Sequence, residues 1–202
     1  MTGVQTCALP IFLAGVEYDP LTPVLTVAEA VENGVMVTEP LTLARGDAAA
    51  ALEASPKRIK GRMIVGGQDH FYLEGQIALA LPGEDGAVTV ISSTQHPTEV
   101  QHMVAATLGL KSSAVTVEVR RMGGAFGGKE TQGNLFAVAA ALVASLTGRA
   151  AKARPDRDDD MIITGKRHDF QIDYDVGFDE DGIIQAVDMT YAARCGWSSD
   201  LS

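Results

Sequence analysis

Apolar and polar positions change period several times along this chain, and each change marks an element. Phe71–Leu81 and Val88–Ser93 alternate, as strands with one buried face do, and Pro82-Gly83-Glu84-Asp85-Gly86 between them reads as a hairpin turn. Pro97 sits where a helix starts, and Val100, Met103, Val104 and Leu108 recur at helical spacing until Gly109 stops them. Val115, Val117 and Val119 form the next strand, which runs into a glycine-rich loop. Thr131–Thr147 then carries the clearest helical pattern of the chain, closed by Gly148. A short strand and a turn of helix around Asp158–Ile163 lead to a second hairpin. It pairs Phe170–Phe178 with Ile183–Ala193 across Asp179-Glu180-Asp181-Gly182. Upstream, Thr26–Val31 reads as a short helix, Val35–Thr38 as a strand, and Asp47 as the cap of an alanine-rich helix ending before Pro56. Lys57–Lys60 reads as a solvated connector, and Met103 and Met122 as core residues. Hairpins dominate and a single segment has the strand–glycine loop–helix form, so the predicted class is α+β.

The glycine loop holds the candidate chemistry. In Arg120-Arg121-Met122-Gly123-Gly124-Ala125-Phe126-Gly127-Gly128-Lys129-Glu130, four glycines surround one aromatic residue. Glycine serves where a backbone takes positive φ or comes very close to another group. A strand–loop–helix unit also aims backbone N–H groups at one point, which suits an anion such as phosphate. Phe126 needs a surface to cover, either a ligand or a partner core. Two readings compete with a ligand site. Gly123 to Lys129 satisfies G-x-x-x-x-G-K, the P-loop pattern of nucleotide-binding proteins, but the Ser or Thr that should follow to hold magnesium is Glu130, which would repel phosphate. A turn that merely packs a helix close to a strand explains the glycines and leaves Phe126 and Glu130 unexplained.

Composition narrows the classes. A formal charge of -10 with no Lys/Arg-rich stretch argues against nucleic-acid binding. No apolar run approaches the roughly 18 residues of a membrane span. Cys7 and Cys195 lie far apart and suggest no disulfide framework, so a reducing, cytoplasmic setting is expected. Met1–Ile11 lacks a clear period and is expected to be a non-native leader. Both ends of the chain read as those of a fragment.

Four motifs in register carry a resemblance. Gly67-Gln68-Asp69-His70-Phe71-Tyr72-Leu73-Glu74, Ser93-Thr94-Gln95-His96, Gly123–Glu130 and Asp156–Phe170 resemble the molybdenum-binding portion of xanthine dehydrogenases and aldehyde oxidases. The 35 positions from Gln95 to Glu130 (130 − 95) are similar to the family spacing, and Arg194-Cys195-Gly196-Trp197 resembles the xanthine dehydrogenase branch. Ala125 departs from a third glycine common in the family, a change that would be strained if that position needs positive φ.

The resemblance implies a function and assigns roles. It places the end of a small, hammerhead-like α+β domain plus a linker over residues 12–60, and a first molybdopterin-binding domain over 61–202. The implied enzyme oxidises purines such as hypoxanthine and xanthine by water-derived hydroxylation at a molybdenum–pterin centre, passing electrons to 2Fe-2S clusters and FAD. An aldehyde or another N-heterocycle is the alternative substrate. Gln95 matches a glutamine whose amide approaches a ligand of the metal without binding the metal itself, a task suited to a neutral donor. Its bland alternative is a residue capping the Pro97 helix. Phe126 and Gly127 match backbone that touches the pterin. Glu130 matches a carboxylate that binds purine, and its alternative is an acidic residue of the helix's first turn. The family's general-base glutamate and a substrate arginine are expected beyond residue 202, so no catalytic residue is assigned. The implied partners are a purine, an iron–sulfur/FAD subunit or domain, and a second copy of the full complex. Glu74 reads either as a residue supporting the site from behind or, by preference, as a strand residue facing solvent. Asp156–Asp160 is expected to be an exposed helix-starting loop, and His70, His96, His102 and His168 are not spaced as metal ligands.

Overall fold

A computed structural model describes residues 15–201, so Met1–Ile11 with Cys7 lie outside the described residues. The chain divides into two compact units between Met36 and Val37. The first holds helix α1 (Val27–Glu32), started by a capping box in which Thr26 Oγ1 accepts from Glu29 N at 3.1 Å and the Glu29 carboxylate accepts from Thr26 N. Val35–Thr38 forms no strand. Val35 N instead donates to Ala30 O at 2.8 Å and closes the helix end.

The second unit contains two sheets. Helix α2 (Ala48–Ala54), capped by Asp47, precedes strand β1 (Lys57–Val65). β1 pairs antiparallel with β6 (Asp169–Phe178), which pairs antiparallel with β7 (Ile184–Arg194). Lys57–Lys60 is therefore the first part of a strand and not a connector. The basic residues belong to a ladder of ion pairs: Arg58 holds both oxygens of Asp175 at 2.6 and 2.8 Å, and Arg62 holds both of Asp173 at 2.6 and 3.1 Å. Leu52 of α2 is buried, in contact range of Gly177 on β6.

The other sheet has the order β4-β3-β2-β5, built from β2 (Ala78–Pro82), β3 (Val88–Ser92), β4 (Val115–Glu118) and β5 (Ala151–Ala153). β2 and β3 form the expected hairpin. β3 and β4 are parallel because helix α3 (Pro97–Leu108) crosses between them. Helix α4 (Gly133–Thr147) presents Phe136, Ala137, Ala140, Ala141 and Ala144 to this sheet. Alanines at helical spacing bring the helix axis close to Ala78, Ala80, Val88 and Val90. Val100, Val104 and Ala105 of α3 complete the core. Met103 and Met122 are exposed instead, because α3 turns Val100 and Val104 inward and Met122 lies on the loop. The class is the expected mixture of helices and open sheets.

Two connections pass from one sheet to the other. Gly66–Ile77 joins β1 to β2, and residues 154–168, including helix α5 (Arg157–Ile163), join β5 to β6. They meet through paired bonds between Gln68 and Arg167, N to O at 3.1 and 3.0 Å. Phe71–Ile77 is irregular where alternation suggested a strand, since side-chain partners replace the ladder there. Among the described residues no helix is long and apolar enough to cross a membrane.

The fold predicts where stability is concentrated. Val90→Ala, in a fully buried position of β3, is expected to lower unfolding free energy by roughly 2 kcal/mol. Leu146→Ala on the exposed side of α4 should cost under about 0.5 kcal/mol. Urea midpoints of the two variants check this, and equal losses would contradict the core described.

Candidate cofactor-binding site

The glycine loop leaves β4 at Glu118 and reaches α4 only at Gly133. Glu130 therefore sits in a bend ahead of the helix, half-buried, and is not a first-turn residue. Gly128 N donates to Ala125 O at 2.9 Å, which makes a tight turn with Phe126 and Gly127 at its tip. Phe126 has φ 57° and Gly127 φ 93°. A non-glycine residue held there is strained unless its surroundings fix it, and such residues gather at ligand sites. Phe126 is 73% exposed, and its N–H has no protein acceptor among the described residues. Ala125 is buried and is not at positive φ, so its departure from glycine brings no backbone strain.

Two glycines allow the loop to lie against the Gly66–Ile77 connection. A Cβ on Gly128 would stand 2.7 Å from His70 Cγ and 2.8 Å from the Tyr72 ring, and one on Gly123 would stand 2.6 Å from Glu74 Cβ. Backbone and side chain meet there with no room for a larger residue. Glu74 N donates to Gly123 O at 3.1 Å, and Gly123 N donates to Glu74 Oε2 at 2.9 Å.

Gln95, just past β3, is turned toward the loop. Its N–H donates to Lys129 O at 2.9 Å, and its Oε1 accepts from Gly127 N at 3.1 Å and Lys129 N at 3.2 Å. It does not cap α3, whose N-cap is His96. Two backbone donors on Oε1 settle which end of the amide faces the loop. Nε2, a neutral donor, has no protein partner among the described residues. Gln95, Phe126, Gly127 and Glu130 thus lie on one loop system. Glu130 adjoins Lys129 in sequence, and among the described residues its side chain makes no hydrogen bond or ion pair.

Lys129 overturns the P-loop reading. Its side chain is 0% exposed and turned into the fold, toward Glu74 O at 2.7 Å, Ser93 Oγ at 2.8 Å and Glu74 Oε2 at 3.3 Å, so it is not free to reach a phosphate. Nζ also stands 4.6 Å from the centroid of the Tyr72 ring. Burial pushes the Lys129 ammonium below the usual lysine pKa, opposed by the Glu74 carboxylate. Burial of Glu74 likewise works against its ionisation. The Gly123 N–H, the Ser93 hydroxyl and Lys129 outweigh it and hold the carboxyl below 4.5.

Beneath this pair lies a second network. Tyr72 Oη donates to Asp160 Oδ1 at 2.6 Å, and Gln76 N donates to Asp160 Oδ2 at 2.8 Å. Gln76 Nε2 donates to Gly128 O at 2.9 Å and to Tyr72 Oη at 3.0 Å. Burial, then the Asp160 contact, pushes the Tyr72 phenol up to about 12. Asp160 is 2% exposed, so the acidic run is an exposed loop at Asp156, the cap of α5, and a buried anchor at its other end. Glu74 faces this joint and not open solvent. Sequence reasoning does not find the roles of Lys129, Tyr72, Gln76 and Asp160, and it ranks the supporting role of Glu74 below a solvent-facing one. A lone Lys within a run of glycine and apolar residues, and a Glu closing the Gly67–Glu74 motif, were the available signals.

The residues suit the cofactor implied by the resemblance: the loop carries an exposed apolar ring and an unused N–H, and the amide that the loop orients keeps its donor end without a protein partner among the described residues. The family described as "Molybdopterin cofactor-binding domain" matches residues 28–202. The chain belongs to this family. It is 40% identical over 188 residues to a xanthine dehydrogenase/oxidase of Gallus gallus, covering 93% of this chain and 14% of that protein. It is also 40% identical over 189 residues to aldehyde oxidase 1 of Rattus norvegicus, again covering 93% and 14%. The chain thus spans about one seventh of the length of these relatives. The fold is shared with quinoline 2-oxidoreductase from Pseudomonas putida 86, at TM-score 0.78 and 21% identity, covering 94% of this chain and 25% of that one. The aldehyde oxidoreductase of Desulfovibrio gigas superposes at TM-score 0.65 with 27% identity, covering 73% and 16%.

The Glu74–Lys129 pair predicts a pH dependence. The folded pKa of Glu74 is depressed, so its stabilisation is present above 4.5 and is lost as pH falls through its folded value. Glu74→Gln should destabilise by about 1–3 kcal/mol at neutral pH. Urea midpoints should show this gap narrowing below pH 4.5, and a gap that widens on acidification would contradict the pairing.

Proposed function

We propose that this chain is part of a molybdenum hydroxylase that oxidises purines, and that the loop Gly123–Glu130 with Gln95 forms one wall of its molybdopterin site. The observation that carries the reading is the arrangement of Gln95. Two loop amides hold its Oε1 at 3.1 and 3.2 Å, which leaves Nε2 as an oriented neutral donor beside Phe126 and Gly127. When bound, the cofactor supplies the two-electron oxidation that adds water-derived oxygen to a carbon of the substrate. Gln95 Nε2 would hold the cofactor by a hydrogen bond, as a neutral donor that does not bind the metal itself. The Phe126–Gly127 backbone would help to hold the pterin, and the exposed Phe126 ring would cover it from water. Glu130, outside the helix and unpaired among the described residues, accepts N–H groups of a purine ring. A carboxylate in that role gains a charge-assisted hydrogen bond from a heterocycle that an aldehyde cannot offer.

In this reading residues 61–202 form the first molybdopterin-binding domain and 12–60 the end of a smaller one. 2Fe-2S clusters and FAD, on another domain or subunit, take the electrons. The complex is a cytoplasmic homodimer. Aldehyde oxidation is the second reading, kept because the rat aldehyde oxidase is as similar to this chain, at 40%, as the Gallus gallus xanthine dehydrogenase/oxidase.

Glu130→Ala in the holoenzyme separates the two. kcat/KM for xanthine is expected to fall about 10- to 100-fold, the equivalent of one charge-assisted hydrogen bond, with aldehyde turnover little changed. Undiminished xanthine turnover, or a purified holoprotein without molybdenum, would refute the proposal.

A further inference from the structure

Three separate stretches of chain converge on one buried ammonium group. Lys129 Nζ reaches Glu74 O and Oε2 in the Gly66–Ile77 connection and Ser93 Oγ at the end of β3. Ser93 Oγ in turn donates to Glu74 Oε2 at 2.7 Å, and the same oxygen accepts from Gly123 N at 2.9 Å. Glu74 therefore pins the start of the glycine loop, and Lys129 pins its end. The backbone of Lys129 completes the joint: its N–H donates to Gln95 Oε1, and its carbonyl accepts from Gln95 N at 2.9 Å and Thr94 Oγ1 at 3.1 Å. One residue thus couples the loop, by its side chain, to a rigid anchor, and by its backbone to the amide of Gln95.

A buried charge is an expensive way to join three segments. Apolar residues of similar volume hold a core at least as well. What an ammonium adds is fixed geometry, with three donors set by three acceptors and no freedom to slide. We infer that Lys129 is a positioning residue, which through Glu74 and Ser93 fixes the glycine loop against Gln95 and so sets the direction of the Gln95 Nε2 donor. The inference rests on the cofactor reading above for its purpose, and on the hydrogen-bond geometry alone for its mechanics.

The test compares Lys129→Met with Lys129→Met/Glu74→Gln in the holoenzyme. The single variant strands the Glu74 carboxylate and is expected to lower Tm. The double variant removes both charges and is expected to recover most of that loss. Two readouts then decide. Hydrogen exchange of residues 123–130, followed by mass spectrometry, should speed up on the order of tenfold in the double variant, since the donors to Gln95 Oε1 are released. The Mo(V) electron paramagnetic resonance spectrum should shift in the direction produced by Gln95→Ala. Ser93→Ala, a smaller change, should move both readouts the same way and serves if the double variant does not fold. Wild-type exchange and a wild-type spectrum in a double variant of recovered Tm would overturn the inference, leaving Lys129 as a packing group. A wild-type holoprotein without molybdenum would instead sink the functional reading, and the exchange measurement would still judge the clamp.

Discussion

The buried ammonium of Lys129, paired with the half-buried carboxylate of Glu74, is the constraint on which the candidate site depends. An ammonium without solvent exposure must have its donors satisfied, or the fold loses several kcal/mol of stability. Satisfying them draws the end of β3, the Gly66–Ile77 connection and the glycine loop to one point. Once these three are joined, little freedom remains. Gly123 and Gly128 must be glycine because Glu74, His70 and Tyr72 stand where a Cβ would go. The turn at Phe126 must then project its aromatic ring outward, at a φ that free chain seldom adopts. The site's open surface follows from what is fixed beneath it.

The two sheets explain why that joint exists at all. Each is an ordinary structure by itself: an antiparallel, ion-paired ladder of β1, β6 and β7, and a four-stranded sheet covered by α3 and α4. The connections between them cannot continue either ladder, so their backbone and polar groups find partners in side chains. Asp160, Tyr72 and Gln76 supply those partners on one side, and Glu74 and Lys129 on the other. Irregular backbone held by buried polar networks can present N–H groups and side chains in directions that a strand or helix forbids.

Much of this architecture was legible in the order of residues, and the reason is locality. The β2–β3 and β6–β7 hairpins, the helices α3 and α4 and the cap at Asp47 depend on neighbours within a few positions. Failures came where a distant partner decides. Lys57–Lys60 looked like a solvated linker because its partners, Gly177 and Asp175 among them, lie more than a hundred residues away. Phe71–Leu81 alternates like a strand, yet Tyr72, Glu74 and Gln76 turn inward to meet Asp160 and Lys129. Gln95, Phe126, Gly127 and Glu130 stand out because four spaced motifs resemble a family, and Glu130 in place of Ser or Thr already argues against a P-loop. Lys129, which rules that alternative out, could not be placed from sequence: its carboxylate partner is 55 residues earlier.

The central claim is that the surface formed by Gln95, Phe126 and Gly127 faces a molybdenum cofactor. Anomalous diffraction at the molybdenum edge, from crystals of the purified holoprotein, tests it most directly. The account predicts a single strong molybdenum signal on the Nε2 side of Gln95, with an atom bound to the metal within about 3 Å of that nitrogen. A molybdenum signal on another face, with Gln95 Nε2 open to solvent, or crystals with no such signal, would contradict it.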